Sequence, residues 1–252
     1  MDTPRKNLRL AILSTPRTGN TWIRHVLGSA LGLAQHAVHD YKEIPEPLAE
    51  NVLVAAHWPR EPHFQKWLKD RQFVKLTIAR NPFDVLVSVL HFARKEPQVH
   101  RWLEGNVEIP ESFLHVSPSS DEFLNYCLSF GAENLLSVSY QWWHDSSVIR
   151  LRYENCVANP PQIFGETART LGREVTDWNA YLEPVSLENM RKHANNHGWK
   201  ASPNHYKSLV PSFAAWEIYK RHRQVFQKLG YKFEPYLLSR KTAEKNWQSA
   251  KV

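Results

Sequence analysis

The sequence predicts one α/β domain, a doubly wound parallel sheet flanked by helices, and two observations carry that prediction. Four short apolar runs rich in β-branched residues end in turn signals: LRLAILS (8–14), NVLVAA (51–56), FVKLTIA (73–79) and SVIRLRY (147–153). Stretches with apolar residues at helical spacing lie between them. Strands covered on both faces read as continuous apolar runs, and strand–helix alternation gives a parallel sheet with helices on both sides. The 252 residues suffice for one such domain and are too few for two of ordinary size. The domain is therefore drawn over 1–252, with a basic C-terminal helix and tail from about 213 to 252.

The first strand runs into Ser-Thr-Pro and a short loop, after which a helix pattern spans Gly19 to Leu33. The second run closes at His57 and is followed by a helix over Pro59 to Lys69. The third closes at Arg80, and Pro82 suits the first position of a helix reaching Arg94. Residues 95–119 form a long irregular connection punctuated by Pro97, Gly105, Pro110 and Pro118, and such connections in compact domains are functional lids or mobile segments. Helices over Ser120 to Phe130 and Ala132 to Trp143 lead to the fourth run, which closes at Tyr153-Glu154. Ligands of open α/β sheets bind beyond the carboxyl ends of the strands. That rule selects Thr15-Pro16-Arg17, His57, Arg80 and Tyr153-Glu154 as the residues around a site. His39, His91 and His144 close none of the four runs and remain the weaker candidates.

The net charge of +7 favours anionic partners. Its distribution is uneven, because nine Lys or Arg against three Glu from Phe213 onward supply +6 of it, which reads as a solvated basic face. Specific nucleic-acid binding is not expected; charge alone predicts only weak, salt-sensitive association. Two cysteines, Cys127 and Cys156, argue against a disulfide framework, and no run approaches the ~18 apolar residues of a membrane span. With no leader pattern at the N-terminus, the expected location is cytoplasmic. No carboxylate pair suggests a bound divalent metal, and the oligomeric state, a homodimer included, is left open.

A strand, a tight turn and a helix start cradle an anion through the free N–H groups of the first helical turn. Arg17 adds a full charge, Gly19 allows close backbone approach and Thr21 places a hydroxyl at the helix mouth. A nucleotide-hydrolase loop would read G-x-x-x-x-G-K-[ST], but here no Gly stands first and Asn20 follows Gly19. The segment Pro16-Arg17-Thr18-Gly19-Asn20-Thr21-Trp22 instead resembles the phosphosulfate loop of the sulfotransferase family, with Arg where Lys is commoner. RNPFDVLVS, from Arg80 to Ser88, is similar to the family's Arg-Asn-Pro-x-Asp-x-x-x-Ser signature, and HWP at His57 stands where the family carries His-Leu-Pro. Tyr153-Glu154-Asn155 is close to its Tyr-Glu-Asp. YKSLVPSF (206–213) is the nearest counterpart of Arg-Lys-Gly-x-x-Gly-Asp-Trp, with Lys207 kept and both glycines replaced.

The resemblance implies a P-loop-like sulfotransferase fold and transfer of a sulfuryl group from 3′-phosphoadenosine 5′-phosphosulfate (PAPS) to a hydroxyl or amine of a small acceptor. Adenosine 3′,5′-bisphosphate (PAP) would be the product, and no metal is required. His57 would be the general base and Arg17 the catalytic cation. The nucleotide would be held by Arg17, Thr18, Gly19, Asn20, Thr21 and Trp22, with Trp22 stacking on adenine. Arg80 and Ser88 would take the 3′-phosphate, with Tyr153 nearby. Lys207 and Ser208 would either bind phosphate or belong to a remodelled acceptor wall. Arg80 could instead pair with Asp84, and Tyr153 could be a buried filler. The acceptor side falls to residues 95–119, Trp142-Trp143-His144 and 195–212, whose aromatics Trp102, Phe113, Trp199 and Tyr206 suit an apolar or aromatic acceptor. Two alternatives stay beside this reading: a P-loop nucleotide kinase and a non-catalytic PAPS- or PAP-binding protein.

Overall fold

A computed structural model describes residues 7–186, 188–189 and 202–250. The 195–201 part of the expected acceptor segment, with Trp199, lies outside the described residues. Five parallel strands form the sheet: β1 (Arg9–Leu13), β2 (Ala34–Val38), β3 (Val52–Ala56), β4 (Val74–Ala79) and β5 (Val148–Arg152). Their order is β2-β3-β1-β4-β5, so the chain leaves β1 toward one edge and β4 toward the other. The crevice between the ends of β1 and β4 is therefore the topological switch point where ligands of such sheets bind.

Side chains of a strand alternate between faces, and the sheet uses the alternation to build two cores. Ala11, Leu13, Val54 and Ala56 join one, while Leu10, Ile12, Leu53 and Ala55 join the other. The second core is closed by α1 (Asn20–Ala30). The first takes α2 (Pro62–Asp70), α3 (Pro82–Ala93), α4 (Asp121–Leu128) and α5 (Phe130–Trp143). After β5 come α6 (Tyr153–Ala158), α7 (Pro160–Thr170) and α8 (Asn179–Leu182), of which α6 and α7 send Cys156 and Phe164 into the second core. Pro82 opens α3 and the Asn81 side chain caps it, accepting from Phe83 N–H at 3.1 Å.

Two features depart from the sequence reading. β2 is a fifth strand, AQHAV, at the sheet edge. Its half-exposed, weakly apolar composition carries no strand signal, as suits a short edge strand. The basic C-terminal region is three helices: α9 (Ser212–Arg221), α10 (Arg223–Lys228) and α11 (Arg240–Ser249). These fold back on the domain, with Phe226 and Trp247 fully buried in the first core. Several of their cations sit in surface ion pairs, Arg221 with Glu133 and Arg240 with Asp121 among them. Both cysteines are buried and free. Among the described residues no helix is long and apolar enough to cross a membrane.

Candidate active site

The loop after β1 is held from within. The Thr15 carbonyl accepts from Thr18 Oγ1 and Asn20 Nδ2, both at 2.9 Å, and Asn20 also bonds the Ser14 hydroxyl. Thr15 N–H donates to Ser139 Oγ on α5 at 2.8 Å, and Ser139 returns both its own N–H to Thr15 Oγ1 and its hydroxyl to Ile78 O on β4. Thr18 and Asn20 therefore spend their side chains on loop shape, which leaves their backbone amides as the part available to a ligand. Gly19, at φ 94°, turns the chain into α1, and a Cβ there would lie 2.6 Å from the Tyr153 ring. No side chain caps α1, so its first-turn N–H groups, including that of Thr21, have no acceptor within the helix.

Arg17 and Arg80 meet at the switch point. Arg80 is buried at 8% exposure, donates from Nη1 to Arg17 O at 2.9 Å, and lies 4.6 Å over the Tyr153 ring. Its Nε is buried without a hydrogen-bond partner. Arg17 is half-buried, donates from Nε to Ser88 Oγ at 3.2 Å and stacks 4.0 Å over Phe92. Burial, reinforced by repulsion from Arg80, lowers the Arg17 pKa to about 9, so the group is still charged at neutral pH. Among the described residues neither guanidinium forms an ion pair with a carboxylate. Asp84 is instead occupied by the chain's later segment, accepting from Asn204 N–H at 2.7 Å and Tyr206 N–H at 3.0 Å. Asp84, Ser88 and Phe92 follow one another at i, i+4 on one face of α3.

His57 closes β3 beside this pair. Its Nδ1 lies 2.8 Å from Ser14 O, so Nδ1 carries the proton and Nε2 keeps the lone pair. Burial is the main cause that lowers its pKa to about 4; His39 and Arg17 add to the lowering while the Ser14 bond opposes it. The ring is thus neutral at pH 7. His91, at about 3, and His222 are lowered mainly by burial as well. Protonation favours the unfolded chain at such sites. Their stabilising contribution is complete above the ordinary imidazole pKa of ~6.5 and is lost as pH falls from there toward 4. The urea midpoint is expected to drop between pH 7.5 and 5.0, and to drop less in His57→Asn; an equal drop in both proteins would remove His57 from the cause.

The remaining expected residues divide. Tyr153 is buried between Arg80 and Gly19, and Trp22, partly exposed, meets it and Phe164 edge-on at 6.3 and 5.5 Å. Glu154 ties strand ends together, accepting from Asn81 N–H at 2.8 Å and Tyr231 OH at 2.7 Å. Lys207 and Ser208 turn elsewhere. Lys207 pairs with Glu234 at 2.5 Å on the surface, and Ser208 Oγ donates to His205 O at 2.8 Å. Of the aromatics expected on the acceptor side, Trp102 stands against His57, ring centres 6.1 Å apart. Phe113 packs on Tyr126 in the core and Tyr206 stacks on Phe83. Trp142 is fully buried and donates to Trp58 O at 2.9 Å, supporting the turn after His57.

The sequence does not point to Ser139 or Phe92, names Asp84 only as a partner for Arg80, and ranks His39 below His57. Ser139, Asp84 and Phe92 all act from helices, and only the i, i+4 spacing from Ser88 hints at Phe92. His39 closes none of the four sequence runs, yet it follows β2. Val38 pairs in register with Ala56, so the parallel ladder sets His39 beside His57. No group of three His, Cys, Asp or Glu able to hold a metal ion occurs among the described residues.

Known proteins with solved structures share this architecture. Mouse sulfotransferase SULT7A1 complexed with PAP superposes with a TM-score of 0.67 at 16% identity, covering 87% of this chain and 84% of that one. Retinol dehydratase in complex with androsterone and inactive cofactor PAP gives 0.62 at 13% identity, over 91% and 84% of the two chains. Retinol dehydratase with retinol and PAP gives 0.61 at 14%, over 92% and 85%. No curated relative matches at a significant level. The sulfotransferase domain family matches residues 9–214, from β1 into the start of α9, and so takes in the Arg17 loop, His57, Arg80 and Tyr153 alike. The chain belongs to the sulfotransferase domain family.

Proposed function

We propose that this protein transfers a sulfuryl group from PAPS to the hydroxyl or amine of a small acceptor, with His57 as general base. The observation that carries the reading is the pair Arg17–Arg80. Among the described residues the two like charges form no ion pair with a carboxylate, Asp84 acting on Arg80 only from beyond ion-pair distance, and one has a buried, unpartnered Nε, beside an uncapped helix start. Such an arrangement is costly unless an anion completes it, and a nucleotide with phosphates at both 5′ and 3′ positions suits it. PAPS, when bound, supplies the activated sulfuryl group and leaves as PAP.

The chain's own residues do the rest. Arg17 and the amides of Gly19 to Thr21 oppose charge at the 5′-phosphate and the bridging oxygen. Arg80, with Ser88, meets the 3′-phosphate, and Trp22 offers an aromatic edge for adenine. His57 Nε2 accepts the proton of the attacking hydroxyl; its neutral state at pH 7 keeps the lone pair ready. Sulfuryl transfer develops less negative charge than phosphoryl transfer, so two arginines and a helix start can serve where phosphoryl transfer uses Mg²⁺. Lys207 and Ser208 are given no part in this arrangement. The acceptor is assigned to the apolar alcohols, on the strength of Trp102 against His57 and the androsterone and retinol held by the structurally similar retinol dehydratase.

A thermal-shift comparison tests the donor. PAP at about 100 times its Kd should raise Tm by about 5 °C or more, while ADP and Mg-ATP leave it nearly unchanged. Stabilisation by Mg-ATP alone would transfer the case to the kinase reading, and no shift with PAP would remove the donor.

A further inference from the structure

The phosphosulfate-type loop carries Arg17 where the family commonly has lysine, and the surroundings of that guanidinium are specific to its shape. The Arg17 Cζ lies 4.0 Å above the Phe92 ring. Phe92 is stacked in turn on Trp102, with centroids 5.7 Å apart and planes at 9°, and Trp102 meets His57 edge-on at 6.1 Å. Phe92 and Trp102 are 7% and 5% exposed, so the stack is closed to water over most of its area. One turn before Phe92 on the same face of α3, Ser88 accepts from Arg17 Nε and fixes the plane of the fork.

The backbone adopts costly conformations to present Trp102. Leu103, Glu104 and Gly105 all have positive φ, 51°, 55° and 88°, and two of the three are not glycine. Asn106 holds this turn, donating to Leu103 O from its side chain at 2.8 Å and from its backbone at 3.0 Å. Left-handed non-glycine residues persist where surrounding structure over-determines them, and they cluster beside functional sites. A flat guanidinium is weakly hydrated and stacks on aromatic faces, whereas an ammonium is a strongly hydrated point charge.

We propose that Phe92 and Trp102 are positioning residues that hold the Arg17 guanidinium and the His57 imidazole at a set spacing, through a stack suited to arginine and not to lysine. The proposal rests on the roles given to Arg17 and His57 under the proposed function. It goes beyond them by naming two side chains that touch no reacting atom and by requiring energetic coupling between Arg17 and Phe92.

A double-mutant cycle on Arg17→Lys and Phe92→Leu tests it, read in kcat, in KM and, without nucleotide, in the urea midpoint. Phe92→Leu should lower kcat by about tenfold or more with KM nearly unchanged, and Phe92→Tyr, which keeps the aromatic face, should stay within about twofold of wild type. In the Arg17→Lys background the same Leu substitution should cost less than about threefold, because the stacking partner is already gone. Phe92→Met, closer in volume, serves if the leucine variant folds poorly, and Trp102→Phe against Trp102→Leu repeats the contrast one ring further on. Additive effects in both rate and midpoint, or a Phe92→Tyr protein as impaired as Phe92→Leu, would overturn the stack. Coupling in the midpoint of a wild-type protein that transfers no sulfuryl group would overturn the assigned reaction and leave the Arg17–Phe92 coupling supported.

Discussion

His57→Ala is expected to lower kcat by about 10²–10⁴-fold, the usual contribution of a positioned general base, while PAP affinity changes by less than about threefold. The separation follows from geometry. Among the described residues the ring's hydrogen bond to the loop after β1 is the one from Nδ1 to Ser14 O, at 2.8 Å, and that bond shapes the loop without occupying the proposed anion cradle of Arg17, Arg80 and the start of α1. Loss of the imidazole leaves Ser14 O one donor short, a cost of about 1–3 kcal/mol in stability, so the comparison should be made well below the variant's Tm. Single-turnover rates with PAPS and a simple alcohol acceptor, beside PAP titrations, give both quantities. Wild-type turnover in the variant would exclude His57 as the base, and His39, set beside it by the β2–β3 ladder, would become the residue to examine.

Arg80→Ala should weaken PAP binding by about 2–5 kcal/mol, from some tens-fold to several thousand-fold, because it leaves a bound phosphate without its charged fork. ADP, which lacks the 3′-phosphate, should be affected far less, so the ratio of the two affinities reports the contact directly. Folding should suffer less than burial at 8% exposure suggests. Removing Arg80 relieves repulsion on Arg17, which offsets the lost hydrogen bond to Arg17 O and the stack on Tyr153. Calorimetric titration of both nucleotides on both proteins decides the matter. An unchanged PAP affinity would mean that the buried Nε faces something other than a phosphate.

The two expectations draw on strand ends that were legible in the chain, and the reason is local. Each of β1, β3, β4 and β5 falls in a short, mainly apolar segment, so the residues that follow it are fixed by the segment itself. Arg17, His57, Arg80 and Tyr153 thereby fall at the carboxyl ends of the strands of a parallel sheet before any packing is known. The Pro16–Trp22 and Arg80–Ser88 spacings are likewise contiguous, and both stretches lie within the matched range 9–214.

What lay out of reach was set by contacts between distant segments. The edge strand β2 has almost no apolar signal of its own and is defined by its ladder to β3, which is why His39 was placed away from the strand ends. Lys207 keeps the letter of a phosphate contact, but Asp84 draws the 204–206 backbone against α3 and Glu234 takes the Lys207 ammonium. Ser88, proposed at the 3′-phosphate, also accepts from Arg17 Nε, and Trp142 in the expected acceptor stretch supports the His57 turn. The sequence by itself determined four of the five strands, the helices between them and the residues that follow those strands, because these follow from periodicity along the chain. Which neighbour each side chain then satisfies was decided only by the tertiary structure. A buried polar or aromatic group takes the best partner that packing brings within reach, and that partner can lie on any element of the fold.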